Sequence, residues 1–173
     1  MLKAKPPNYR FCPFCGRPLE TMKDDGRTMS HCYSCNWTYY PHVASSAAAI
    51  IVRKNKVLMV RRARAPYVNT WMFPAGFVNF GEHPKETLER EVCEETGLKV
   101  RHATLIEVLQ CEDDPRSPGH FQFFYKTIVC GTVKNLDDSE NSSICWFDIA
   151  NPPKIGWETH QIMMQRLQTA NRQ

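Results

Sequence analysis

The chain of 173 residues is 42% apolar and 23% charged, enough apolar side chain for a packed core and a composition unlike that of disordered chains. Its 22 Lys and Arg against 18 Asp and Glu leave a formal charge of +4, scattered along the chain, a field too weak to point to nucleic acid as a partner. No stretch is long and apolar enough to span a membrane, and residues 1–7 do not lead into the apolar run of a secretory signal, so the sequence reads as a soluble, cytoplasmic protein.

Four of the eight cysteines form two C-x-x-C knuckles, Cys12-Pro13-Phe14-Cys15 and Cys32-Tyr33-Ser34-Cys35, with sixteen residues between them. Two thiolates three positions apart can grip one ion, and two such pairs complete the tetrahedral all-sulfur shell of a structural Zn2+ site. A redox C-x-x-C comes singly and near a βαβ pattern. The polar stretch 23–27, containing Asp24, Asp25 and Gly26, supplies the turn between the knuckles. The segment resembles a zinc ribbon, with His31 and His42 as bystanders to a full shell. A ribbon over residues 1–42 is expected to precede a larger domain over 43–173, either completing the fold or offering a surface for a homodimer.

After Pro41 the pattern turns to strands. Residues 47–53 and 56–62 read as a pair turned at Lys54-Asn55. Residues 71–74 form a short extended piece ended by Pro74, followed by a loop over 75–82. Residues 84–96 read as a helix, with Pro84 suited to its first position and Gly97 to its stop. Strands are expected over 100–109 and 121–129, separated by a polar loop over 111–120 of the length and polarity of a specificity loop, or of an ordinary connection. A short strand over 144–148 and a helix over 157–170, with Met163, Leu167 and Ala170 on one stripe, close the chain. Cys93, Cys111, Cys130 and Cys145 have no metal spacing; Cys130 and Cys145 fall in apolar runs and are expected to be buried as small hydrophobes. Mixed strands with interspersed helices predict an α/β fold.

The chemistry concentrates on the helix over 84–96. At 100° per residue, Leu88 and Val92 mark the buried stripe at about 0° and 40°, with Glu95 near 340°, Glu91 near 300° and Glu94 near 240°. Three carboxylates share a sector about 100° wide, and Glu95 borders the apolar stripe. Crowded like charges repel, the more so when partly desolvated, and a bound hard cation, Mg2+ or Mn2+, resolves both costs with oxygen ligands alone. The Gly76 carbonyl could add a further oxygen. The alternative is an acid-rich surface helix with Arg90 paired to Glu86 or Glu94.

The wider stretch resembles the Nudix box, G-x5-E-x7-R-E-U-x-E-E-x-G-U with U aliphatic, at Gly76, Glu82, Arg90, Glu91, Val92, Glu94, Glu95, Gly97 and Leu98. The resemblance covers about residues 43–148. It implies an α/β/α sandwich with a mixed sheet, preceded here by the four-cysteine ribbon, and a Mg2+-dependent pyrophosphatase acting on a nucleoside diphosphate linked to a group X. By that resemblance Glu91, Glu94, Glu95 and the Gly76 carbonyl hold Mg2+, Glu82 and Arg90 pair to fix loop against helix, and the general base is Glu94, with Glu140 as its substitute. Glu140, in Asp137-Asp138-Ser139-Glu140, is otherwise an exposed loop acid.

A zinc ribbon before such a domain also occurs in NADH pyrophosphatases, which carry a stretch rich in Trp, Pro and Phe after the box; residues 98–118 hold neither Trp nor Phe. The layout is similar instead to that of zinc-ribbon Nudix proteins that look like ADP-ribose or FAD pyrophosphatases, and this resemblance implies ADP-ribose or FAD as substrate, with release of AMP, ahead of NADH, other dinucleotides and nucleoside triphosphates. Arg62 and Arg64 are candidate phosphate contacts or solvated strand-end charges. Phe73, Tyr67, Phe121 and Phe123 are candidates for stacking on a base, or core residues. A regulator that senses a nucleotide while its ribbon binds nucleic acid, and an RNA-cap hydrolase, are the other readings; the intact glutamate set and the few basic residues of the ribbon speak against the first, and a composition that displays no basic track speaks against the second.

Overall fold

The computed structural model describes residues 9–134 and 139–171. Residues 1–7, on which the leader reading rests, and Asp137 and Asp138 lie outside the described residues. The described residues fall into two compact units that divide between His42 and Val43. No helix among them is long and apolar enough to cross a membrane.

The smaller unit is a three-stranded antiparallel sheet of β1 (Glu20–Asp24), β2 (Arg27–Cys32) and β3 (Trp37–Tyr39). Asp24 pairs with Arg27 across a two-residue turn. Asp25 and Gly26 have φ of 46° and 74°, the pair of positive values that a type I′ hairpin needs to match strand twist.

The larger unit contains β4 (Ser45–Arg53), β5 (Lys56–Arg62), β6 (Trp71–Met72), β7 (Ala75–Phe77), α1 (Pro84–Thr96), β8 (Lys99–Cys111), β9 (His120–Cys130), β10 (Asn141–Asp148) and α2 (Glu158–Ala170). Its sheet runs β10-β5-β4-β9-β8, with β6 on β5 and β7 on β4. Among the strand pairs of the described residues, β4 and β9 run parallel and the others antiparallel, so the sheet is mixed. Lys54 and Asn55 make the expected β4–β5 turn, both with positive φ.

Residues 47–51 are buried without a break, the mark of a strand covered on both faces. Alternate side chains enter different cores. Ala48 and Ile50 join Val57, Met59, Phe73, Phe124, Met163 and Met164 beneath α2. Ala47, Ala49 and Ile51 join Leu58, Leu88, Val92 and Leu98 beneath α1. The result is the expected α/β/α sandwich, each buried Leu or Val contributing about 1.5–3 kcal/mol.

Three local expectations fail. Ala75–Phe77 is a strand against β4 rather than loop. Ala170 is exposed, because the buried face of α2 is carried by Thr159, His160, Met163 and Met164. Cys145 is exposed and Cys130 only half-buried: β10 is an edge strand, and Cys130 ends β9, where Arg101 Nε donates to its Sγ.

Candidate active site

The start of α1 is set by local chemistry. His83, extended at φ −82°, accepts from the Lys85 N–H, the Glu86 carboxylate reaches back to the His83 N–H, and Pro84 occupies the first turn. This capping box satisfies donors the helix would otherwise leave open. Gly97 ends the helix in the left-handed region at φ 70°, returning its N–H to the Cys93 carbonyl. The helix is thereby fixed in length and phase, and its carboxylates in direction.

Those carboxylates take three different positions. Glu95 is 3% exposed; its Oε2 accepts from the Ala75 N–H at 3.0 Å and its Oε1 from Asn141 Nδ2 at 2.7 Å. Burial, with the charge of Glu91 adding to it, pushes its pKa up to about 8. Glu91 is largely buried and accepts from Arg90 Nη1 at 2.6 Å; its pKa is also raised by burial. Glu94 is exposed and held by the same Nη1 at 3.0 Å. The far edge of the Arg90 guanidinium donates to both oxygens of Glu82, at 2.9 and 3.1 Å, and to the Phe77 carbonyl at 3.2 Å. Glu82 also accepts from the Asn79 N–H and the Thr87 hydroxyl. Its pKa falls to about 2, chiefly through Arg90. Glu82 and Arg90 thus join the 78–83 loop to α1.

Gly76 owes its identity to space. A Cβ there would fall 1.8 Å from Glu91 Oε1 and 2.0 Å from its Cδ, so Glu91 lies directly against the Gly76 backbone on β7.

A cavity of about 250 Å³ opens beside these groups. Gly76, Arg90, Glu91, Glu140 and Arg62 line it; Glu94, Glu95, Arg64 and Phe73 do not. Phe73 is fully buried between Phe124 and His160, whose ring stacks on it at 5.4 Å. Phe73 is therefore a core residue and not a base-stacking platform, because its side chain faces the core beneath α2 rather than the cavity. Of the other aromatics named, none lines the cavity.

Arg62 is not a solvated strand-end charge. It is 4% exposed, donates to the Pro66 and Ala65 carbonyls at 3.1 and 3.2 Å, and lies 5.1 Å over the Trp157 ring. Among the described residues it has no carboxylate at ion-pair distance, and burial and the nearby Arg116 lower its pKa. Arg64, largely exposed, pairs with Glu140.

Sequence reasoning missed much of the wall. The 112–119 loop and its flanks contribute Cys111, Asp114, Arg116 and His120; Ser46, Phe77, Gln122, Trp157 and His160 come from four further places in the chain. His160 is buried and its pKa is pushed down to about 3 by burial, so it stays neutral; its Nδ1 accepts from the Phe73 N–H. His120 Nδ1 lies 2.9 Å from the Ser117 carbonyl, which can only accept, so the Nδ1–H tautomer leaves Nε2 to accept from the Ser46 hydroxyl at 3.0 Å.

In the smaller unit, the sulfurs of Cys12, Cys15, Cys32 and Cys35 lie within 4.8 Å of one another, and among the described residues no other group of three or more His, Cys, Asp or Glu ligand atoms does so. Cys15 and Cys32 Sγ are 3.6 Å apart, far longer than a disulfide and close to the roughly 3.8 Å between two sulfurs on a tetrahedral Zn2+.

Comparison with known proteins sets this arrangement in context. The family profile of the NUDIX domain matches residues 41–167. An ADP-ribose pyrophosphatase of Methanocaldococcus jannaschii is 32% identical over 133 residues, 76% of this chain and 78% of that one. The NAD-capped RNA hydrolase NudC of Chromobacterium violaceum is 40% identical over 98 residues, but the match spans only 35% of its length. A NUDIX hydrolase structure from Nitrosomonas europaea aligns over 95% of this chain and 93% of its own with a TM-score of 0.66 at 22% identity. The NUDIX domain of Shewanella oneidensis NrtR, solved with ADP ribose, aligns over 81% of this chain and 96% of its own, with a TM-score of 0.65 at 18% identity. The profile covers the sandwich, the buried carboxylates of α1 and the loop that Arg90 ties to them, and the chain belongs to the NUDIX domain family.

Proposed function

We propose that the chain hydrolyses the pyrophosphate of a nucleoside diphosphate linked to a second group, with ADP-ribose or FAD as substrate and AMP as one product. The observation that carries this is that one cavity is lined both by the largely buried Glu91, crowded by Glu95 and Glu94, and by a buried guanidinium, Arg62, that has no carboxylate partner among the described residues. Each is costly alone. A pyrophosphate with hard cations satisfies both. The archaeal relative named an ADP-ribose pyrophosphatase supports the choice of substrate.

Glu91, Glu94, Glu95 and the Gly76 carbonyl are the residues that would hold Mg2+ or Mn2+, and the oxygen-only donor set fits such an ion. Arg90 Nη1 spans Glu91 and Glu94, so a bound cation would share their oxygens with it. The ion supplies neutralisation of the pyrophosphate and acidification of water. Arg62 binds phosphoryl oxygen, Glu82 and Arg90 position the helix, and Arg64 holds Glu140. For the general base, cavity position favours Glu140 over the solvent-facing Glu94. Residues 43–173 form the catalytic domain and residues 1–42 a Zn2+ ribbon held by Cys12, Cys15, Cys32 and Cys35.

The purified chain should cleave ADP-ribose or FAD with Mg2+ or Mn2+ faster than NADH, diadenosine polyphosphates or nucleoside triphosphates, with AMP resolved by chromatography. Dominant turnover of NADH overturns the substrate assignment. No turnover of any of them, with tight nucleotide binding, marks a sensor.

Elemental analysis should find one zinc per chain in the wild type and close to none in Cys32→Ser, with the thermal transition of the larger unit retained. Undiminished zinc in Cys32→Ser removes the ribbon assignment.

A further inference from the structure

The loop between β8 and β9 carries an ion pair whose burial is lopsided. Asp114 is 2% exposed, while the Arg116 side chain is 44% exposed at the cavity. Asp114 Oδ1 accepts from Arg116 Nε and from its backbone N–H, both at 3.0 Å, and Oδ2 accepts from Nη2 at 2.7 Å. Burial opposes the charge on Asp114, but these donors outweigh it and hold the carboxylate below its usual pKa. The neighbouring Asp113 ties the same loop to α2, its Oδ2 accepting from the Glu158 N–H at 3.0 Å and the Tyr67 hydroxyl at 2.8 Å. A surface pair would gain little from such geometry. Here a buried anion spends both its oxygens on aiming one cation.

The aim is specific. A guanidinium offers five N–H donors in one plane. The Nε/Nη2 edge is consumed by Asp114. The Phe77 and Trp157 rings pack on the group, 5.0 and 5.7 Å from Cζ, which argues against Arg116 itself serving as a stacking surface for a base. What remains is the Nη1 end with the second Nη2 hydrogen beside it, two parallel donors that match the oxygens of a phosphoryl group. Arg62 lies over the same Trp157 ring, so two guanidiniums meet at one indole. Asp114 is the carboxylate paired with Arg116, and among the described residues Arg62 has none at ion-pair distance, which suits the two cations to an oxyanion.

From this geometry we infer that Arg116, positioned by Asp114, is a substrate-specificity residue that with Arg62 receives the second phosphoryl group of the substrate, the one not held beside Glu91 and Glu95. The inference rests on the pyrophosphatase reading above. It makes Asp114 a positioning residue and the 112–119 loop the part of the fold that selects diphosphates over monophosphates.

Calorimetric titration of the full chain with α,β-methylene-ADP, AMP and adenosine, in Mg2+, tests it. The wild type should bind the diphosphate analogue more tightly than AMP. That advantage should shrink about tenfold or more in Arg116→Gln, as expected for a lost charge-assisted pair of hydrogen bonds, and only in part in Arg116→Lys, which keeps charge without the fork. Asp114→Asn should shrink it too, although Arg116 keeps its charge, and should raise KM for ADP-ribose while leaving kcat near wild type. If Asp114→Asn fails to fold, the two Arg116 variants still decide. An unchanged advantage in Arg116→Gln overturns the inference, as does an equal loss for adenosine, which would assign Arg116 to the nucleoside. The analogue is not cleaved, so a lost advantage in a chain that turns over none of the candidate substrates retains the binding role and removes only the reaction.

Discussion

Glu95→Gln should lose turnover by on the order of 10³-fold, more than the roughly 10–100-fold typical of residues that stand behind a metal ligand, and yet melt at a higher temperature than the wild type when divalent cations are absent at pH 8. The two effects share one cause. Glu95 is buried at 3% exposure beside Glu91, so the native fold prefers it protonated, with a pKa near 8 against the usual 4.5. A raised carboxyl pKa means the native state binds more protons than the unfolded chain between these values. The resulting stability is fully present below about pH 4.5 and is lost as pH rises through about 8. At pH 8 the metal-free wild type carries that cost, on the order of 2–4 kcal/mol. Glutamine keeps the shape without the charge. Its carbonyl can accept from the Ala75 N–H, and an amide turn at Asn141 lets the second hydrogen bond re-form. Added Mg2+ should raise the wild-type melting temperature most at high pH and leave Glu95→Gln nearly unmoved. Glu82 pulls the other way: its pKa is depressed to about 2, and its contribution is lost only as pH falls from about 4.5 toward 2. Scanning calorimetry across pH 2–9, with and without Mg2+, reads both slopes. Wild-type turnover in Glu95→Gln, or a metal-free melting temperature at pH 8 no higher than that of the wild type, would sink the assignment of Glu95.

How much of this was legible beforehand follows the range of the interactions involved. The knuckles Cys12/Cys15 and Cys32/Cys35 and the helix over 84–96 are written in local spacing, and Gly97, Pro84 and the turn at Lys54-Asn55 announce their own backbone geometry. The helical angles placed Glu95 next to Leu88 and Val92, and it is buried there. The angles could not tell that Glu94 would be left to solvent, because that depends on how the neighbouring loop is closed by Glu82 and Arg90. A run such as Trp71-Met72-Phe73-Pro74 does not declare which face is inward, so Phe73 reads as a stacking surface as readily as a core residue, and a shift of one residue sends every side chain to the other side. The rest of the cavity was invisible for a stronger reason. Ser46 meets His120 only because β4 and β9 pair in parallel, 74 residues apart, and Trp157 reaches Arg62 and Arg116 from the start of α2. The polarity of the 112–119 loop hinted at a role; the division of labour between buried Asp114 and exposed Arg116 needed coordinates.

Gly76→Ala should cut turnover at least about 100-fold while leaving the melting temperature within a few degrees of wild type. The backbone at Gly76 does not require a left-handed φ, so the added methyl strains no dihedral there. It falls instead on the Glu91 carboxylate, 1.8 Å from Oε1 and 2.6 Å from Oε2, and a carboxylate at the end of a flexible side chain can swing aside at small cost to the fold. The cost falls on chemistry, since a displaced Glu91 no longer presents its oxygens beside Glu95, and a misplacement of about 1 Å is enough for a loss of this size. A double-mutant cycle isolates the cause. If Gly76 matters through the space it leaves for Glu91, then Gly76→Ala introduced into a Glu91→Ala chain should cost little beyond Glu91→Ala alone, because the clash has gone. Fully additive losses would mean that Gly76 acts by another route, with its carbonyl the first candidate. Near-zero additional loss would tie the glycine that opens the motif to the first glutamate of its helix, fifteen residues on, by steric exclusion alone.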